Sequence, residues 1–138
     1  MRFWDTSALV PLMINEPMSE KMRSIVGDDA RILTSVLTVV EVASAHWQRR
    51  HKGELSISEH EAADRNFAAL STAWVEVPIT QDVIDAAVSV LSRHRLRAAD
   101  ALQLAAAKVA AGKTLLAFVT LDEDLAEAAQ SEGFPILP

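Results

Sequence analysis

Apolar positions along the chain alternate between short continuous runs and helical spacing. Residues 2–5 read as a short buried strand, and Ser7 to Ile14 as a brief helix that Pro11 should bend or shorten, because an internal proline removes a backbone donor. Asn15, Glu16 and Pro17 interrupt the pattern, with Pro17 suited to the first position of a helix over about 18–27 that Gly27, Asp28 and Asp29 close. Ile32 to Ser35 is a second strand, followed by a long helix from about Val36 to Lys52 with Gly53 as its stop. In the stretch from Ser58 to Ala73, Ala62, Ala63, Phe67 and Leu70 fall on one helical face. Trp74 to Val77 is a third strand, and Thr80 can cap a helix that runs to about Arg93. The segment Ala98 to Ala111 is nearly all apolar before Gly112, so it belongs in the interior. Leu115 to Thr120 is the clearest strand, followed by a helix over Glu123 to Ser131 and a terminal strand at Pro135 to Leu137.

Strands separated by helical stretches need crossover connections. The expected fold is therefore α/β and helix-rich, with a short, mostly parallel central sheet flanked by helices on both faces. A length of 138 residues without repeats or linkers suits a single domain over 1–138. The absence of cysteine excludes a disulfide framework and thiolate metal sites. No apolar leader opens the chain, and every helical window of about 18 residues carries charge, so the expectation is a cytoplasmic protein with no membrane contact.

The net charge of −6 speaks against binding nucleic acid by bulk positive charge but leaves room for local patches. Two basic clusters stand out. One holds Arg49, Arg50, His51 and Lys52; the other holds Arg93, His94, Arg95 and Arg97. Either can complement a helix C-terminus, and either can contact phosphates.

In an open parallel sheet, ligands collect beyond the carboxyl ends of the strands, and four acids fall near such positions. Asp5 ends the first strand, Glu41 lies about two turns into the helix after the second, Asp100 opens the apolar helix, and Asp122 follows LLAFVT. Each also has a purely structural reading. Asp5 can cap the helix after it, although Thr6 and Ser7 could do so too, and Thr38 with Glu41 spells a capping box. Asp100 can complement a helix dipole, and Asp122 can cap the last helix, with Asp124 as a solvent-facing alternative acid. Taken together the four favour another role. Carboxylates crowded at one sheet edge repel each other unless a cation compensates, and an all-oxygen ligand set suits Mg²⁺, with Mn²⁺ as a substitute. Metal-assisted hydrolysis of a phosphodiester is the chemistry that follows.

The four histidines read as surface or structural residues. His60 opens HEAAD, half of an H-E-x-x-H zinc motif without its second histidine, and His46 and His51 point different ways on their helix. Neither phosphate-loop, serine-elbow nor dinucleotide motifs occur.

DTSALV with NEPMSE near the start, an acid in the helix after the second strand, AADALQLA, and FVTLDEDL near the end occur in this order over essentially the whole chain. That combination resembles the PIN domain, and in particular the VapC-like toxin ribonucleases of bacterial and archaeal toxin–antitoxin pairs. The resemblance implies a PIN-like fold, an acidic pocket holding Mg²⁺, cleavage of RNA, a homodimer, and a small cognate antitoxin that covers the active site. It assigns Asp5 and Asp100 as the principal metal-binding acids, Glu41 as the second acid of the pocket and Asp122 as the fourth. Thr6, Ser7 and Thr120 match the hydroxyl residues that brace them. Arg93, Arg95, Arg97, Arg49 and Arg50 are the candidate RNA contacts. Two other readings compete with this one: a metal-free scaffold that acts only by binding, and a phosphatase using Asp5 as nucleophile, which is weakened because Ser7 stands where a second acid is wanted.

Overall fold

The computed structural model describes residues 1–138. Its elements are β1 (Arg2–Trp4), α1 (Thr6–Met13), α2 (Ser19–Asp28), β2 (Ile32–Ser35), α3 (Thr38–His51), α4 (Ile57–Ser71), β3 (Val75–Val77), α5 (Gln81–Leu91), α6 (Ala98–Ala111), β4 (Ala117–Val119), α7 (Glu123–Ser131) and β5 (Ile136–Leu137). The five strands form one sheet in the order β3-β2-β1-β4-β5, and every pairing is parallel. The chain winds outward from β1 through β2 to β3, then crosses back to β4 and β5. The switch point lies between β1 and β4.

The period-2 alternation of strands divides the core in two. Phe3, Leu33 and Phe118 pack with α5, α6 and α7 on one face; Trp4, Ile32 and Val119 pack with α1, α2, α3 and the Phe67 and Leu70 side chains of α4 on the other. Register aligns these layers, since Phe3 pairs with both Leu33 and Phe118, and Trp4 with Val119. The Phe3 and Phe118 rings stack at a centroid distance of 5.2 Å. As its apolar sequence requires, α6 runs through the interior, with Ala101, Leu104, Ala105, Ala106 and Ala107 fully buried. No helix is long and apolar enough to cross a membrane.

Several local expectations shift. Pro17 does not open α2; Ser19 does, because its buried hydroxyl donates to the Ile14 carbonyl and accepts from the Glu16 N–H, holding residues 14–19 in a turn. Pro11 lies inside α1, which ends two residues later at Met13. The strand expected from Leu115 is shorter, for Leu115 is 79% exposed and pairing begins at Ala117. Because α3 begins at Thr38 rather than Val36, Glu41 sits in its first turn, not two turns in. The capping box does not form either: no side chain caps α3, and the Thr38 hydroxyl is 2.7 Å from that of Thr34.

Candidate active site

The carboxyl ends of β1 and β4 meet at the switch point, and Asp5 stands there. Its N–H donates to the Val119 carbonyl at 3.0 Å, which holds the residue against β4. Its side chain caps α1: Oδ2 accepts from the Ser7 N–H at 3.0 Å, the Ser7 hydroxyl at 2.5 Å and the Thr120 hydroxyl at 3.1 Å. These three hydrogen bonds all fall on one oxygen, Oδ2. Burial raises the Asp5 carboxyl above its usual range, although the bonds from Ser7, Thr120 and Thr6 pull the other way. Ser7 and Thr120 also bind each other at 3.2 Å, and Leu121 N–H donates to the Ser7 hydroxyl at 2.9 Å. The two hydroxyls thus sew the β1–α1 turn to the β4–α7 turn.

Glu41 reaches the same place from α3. One of its carboxylate oxygens, Oε1, accepts from Gln103 Nε2 at 3.0 Å, and the same amide nitrogen lies 3.2 Å from the Thr38 hydroxyl and 3.3 Å from the Thr6 hydroxyl. Gln103 is fully buried, and its own Oε1 has no partner. Burial raises the Glu41 carboxyl, the bonds from Gln103 and Thr6 oppose this, and the charges of Asp5 and Asp100 raise it further. Asp100, in the first turn of α6, is raised by burial and then by the charges of Asp122 and Asp5, with Arg97 opposing and Asp124 adding to the rise. Asp122 caps α7, its Oδ1 accepting from the Leu125 N–H at 2.8 Å. An open hollow of about 380 Å³ is lined by Arg95, Leu96, Arg97, Asp100, Asp122 and Asp124.

Asp5, Glu41, Asp100 and Asp122 are therefore linked through their mutual repulsion, and two of them serve as caps at the same time. A cap and a pocket acid are not alternatives here, since a carboxylate has two oxygens. The four acids offer only oxygen ligands, the type that suits a hard divalent ion. No three of these acids bring ligating atoms within 4.8 Å of one another; that closeness occurs at one other place in the molecule.

The basic residues divide sharply. Arg95 and Arg97 are exposed at the rim of the hollow and have no ion-pair partner. Arg93 is engaged by Glu132 at 2.7 Å and by the Ser89 hydroxyl at 2.7 Å. Arg49 is paired with Glu16 at 2.6 Å, and Arg50 donates to the Leu55 carbonyl at 3.3 Å. Sequence reasoning did not single out Gln103 or Thr34, whose hydroxyl donates to the Trp4 carbonyl at 2.8 Å. The available signal was a lone amide in the apolar run AADALQLAAA, three residues after Asp100 and so on the same helical face.

Comparison with known proteins supplies the frame for this geometry. A toxin–antitoxin complex from Klebsiella pneumoniae is similar with a TM-score of 0.67 at 20% identity, covering 100% of this chain and 97% of that one. FitAcB from Neisseria gonorrhoeae is similar with a TM-score of 0.72 at 17% identity, again covering 100% and 97%. PAE2754 from Pyrobaculum aerophilum gives 0.65 at 23% identity, covering 98% and 81%. No curated protein matches the sequence. The profile of the PIN domain matches residues 2–131, which takes in all four pocket acids and every strand but the last, and the chain belongs to the PIN domain family.

Proposed function

We propose that this chain is a Mg²⁺-dependent endoribonuclease, the toxin of a toxin–antitoxin pair, acting in the cytoplasm as a single PIN-like nuclease domain over 1–138. The observation that carries the reading is the set of carboxyls at the switch point: Asp5, Glu41 and Asp100 are each raised by burial, and Glu41 and Asp100 further by neighbouring carboxylate charge, with Arg97 the one cation opposing at Asp100. Such a cluster calls for a cation that the chain does not provide.

Asp5 and Asp100 would hold the ion, with Glu41 and Asp122 completing the acidic wall. When bound, a divalent ion polarises the phosphoryl oxygens and lowers the pKa of a coordinated water. Ser7 and Thr120 fix the Asp5 carboxylate through its Oδ2. Gln103 pins Glu41 while its amide also reaches the Thr38 hydroxyl. Arg95 and Arg97 stand where a phosphodiester strand would approach and can neutralise its charge before the scissile phosphate enters the acidic hollow. Hydrolysis breaks one P–O ester bond and adds water across it, leaving a phosphate and a hydroxyl end.

The partners in this reading are RNA, a small cognate antitoxin that covers the pocket, and a second copy of the chain in a homodimer. The similar structures from Klebsiella and Neisseria support the antitoxin, and the acid pocket beside free arginines supports the RNA. Purified protein should cut RNA, and not matched DNA, when Mg²⁺ or Mn²⁺ is added, and chelation should stop it. Cutting that persists in both Asp5→Asn and Asp100→Asn would refute the assignment.

A further inference from the structure

The closest grouping of metal-ligating atoms lies away from the acid pocket, at the seam between α3 and α4. His46 Nδ1 is 3.3 Å from Asp64 Oδ1, His60 Nε2 is 3.6 Å from Asp64 Oδ2, and the three residues can each place a ligating atom within 4.8 Å of the other two. His60 and Asp64 are one turn apart on α4, so they share a face. His60 heads the buried stripe of that helix, with Ala63, Phe67 and Leu70 below it. The half-motif HEAAD thus supplies two ligands at helical spacing, with Asp64 where H-E-x-x-H has its second histidine, and the neighbouring helix returns an imidazole through His46.

We propose that His46, His60 and Asp64 form a second metal site that takes zinc or another divalent ion of borderline softness. Ligands at 2.0–2.1 Å around a tetrahedral ion stand about 3.4 Å apart. Each imidazole nitrogen stands near that distance from one of the two Asp64 oxygens, His46 from Oδ1 and His60 from Oδ2, and both separations are longer than the roughly 2.9 Å of a well-formed N–H···O bond. The donor set of two imidazoles and one carboxylate suits zinc and does not suit Mg²⁺. His46 is 1% and His60 6% exposed, whereas the Asp64 side chain is 63% exposed. The site is therefore walled on its imidazole side and open at Asp64, leaving a fourth position for water. His46 turns its Nδ1 toward Asp64. Its Nε2 has no partner, so no competing bond fixes the tautomer against an ion at Nδ1. An ion here would join α3, which carries Glu41, to α4.

Trp47 provides the reporter, its ring centroid lying 4.5 Å from that of His60. The full chain, with Mg²⁺ in excess to occupy the acid pocket, is titrated with Zn²⁺ and with Co²⁺ as an optical probe. One equivalent of each should bind, Co²⁺ should quench tryptophan fluorescence and show the visible absorption of tetrahedral cobalt, and Zn²⁺ should raise the melting temperature. Asp64→Asn, an exposed change, and His60→Gln should each weaken binding by at least roughly 10–100-fold. Asp5→Asn should leave it unchanged. Wild-type protein that binds neither ion in excess Mg²⁺, or binding that persists in Asp64→Asn, overturns the proposal. Binding lost in Asp5→Asn also overturns it, because the ion would then lie in the acid pocket. A nuclease failure with zinc binding intact would count only against the ribonuclease reading.

Discussion

Helices α6 and α7 run between two charged sites of opposite design. At their N-termini Asp100 and Asp122 face Asp5 and Glu41, and the shifted carboxyls there are raised. At the other end Glu132, just past α7, meets Lys108 of α6 together with Arg93 and His94, the last at 2.8 Å. Burial there would also raise the carboxyl, but the bonds from Lys108, His94 and Arg93 hold it down at about 2. Both ends bury carboxylates, and what separates them is whether the chain supplies the counter-charge. The site that compensates itself stabilises the fold, whereas the one left in deficit is built to receive something from outside.

The sharpest way to break this comparison is to remove charge at the deficient end. Asp5→Asn keeps an N-cap residue and should abolish RNA cleavage by about 10³-fold, the scale of losing one group that stabilises transition-state charge. Melting of the metal-free variant should be unchanged or raised, since a repulsive charge is gone; a fall of several degrees would show that Asp5 serves folding first. At the compensated end the same kind of change should do the reverse. Glu132→Gln should cost about 2 kcal/mol of stability, roughly 30-fold in the folding equilibrium, with cleavage unaltered. The sign with pH follows from the depressed carboxyl. Its stabilisation is present above the ordinary value of 4.5 and fades as pH falls toward about 2, so melts of wild type and variant should converge on acidification.

A smaller effect is expected from Gln103→Leu, which frees Glu41 without touching its charge. Cleavage should fall by roughly 10-fold, with less change in RNA binding than in turnover. Least of all, Arg95→Ala with Arg97→Ala should weaken RNA binding and flatten its salt dependence by about one to two counterions. The same substitution at Arg93 should leave the salt slope alone and lower stability, because Arg93 belongs to Glu132.

That last contrast shows where sequence reasoning stops. RHRLR reads as one basic cluster, yet its first arginine turns to Glu132 and the next two stay free, a division set by a partner 39 positions away. Strand ends were legible because a parallel sheet collects function at its carboxyl edge, which is why Asp5, Asp100 and Asp122 could be marked as acids in unusual places. Their double use as caps was not legible, for residue type does not say which oxygen is occupied. Gln103 hid within an alanine-rich helix, and its importance depends on three side chains from α1 and α3. The reading of the histidines as surface or structural could not single out His46 and His60 as buried for the same reason: spacing on one helix is visible, the facing helix is not.

The hydroxyl seam has a temporal consequence. Thr120 meets Asp5 across 115 positions, and Ser7 meets Thr120 across 113. In a chain emerging N-terminus first, Asp5 is made 115 residues before Thr120, and β4 and Asp122 also come long after it. The pocket cannot close until β4 and Asp122 exist, long after Asp5 has been made. On the nuclease reading proposed above, any partial chain that stops short of β4 would be inert, because Asp5 would have no Thr120 to bind and no Asp122 beside it.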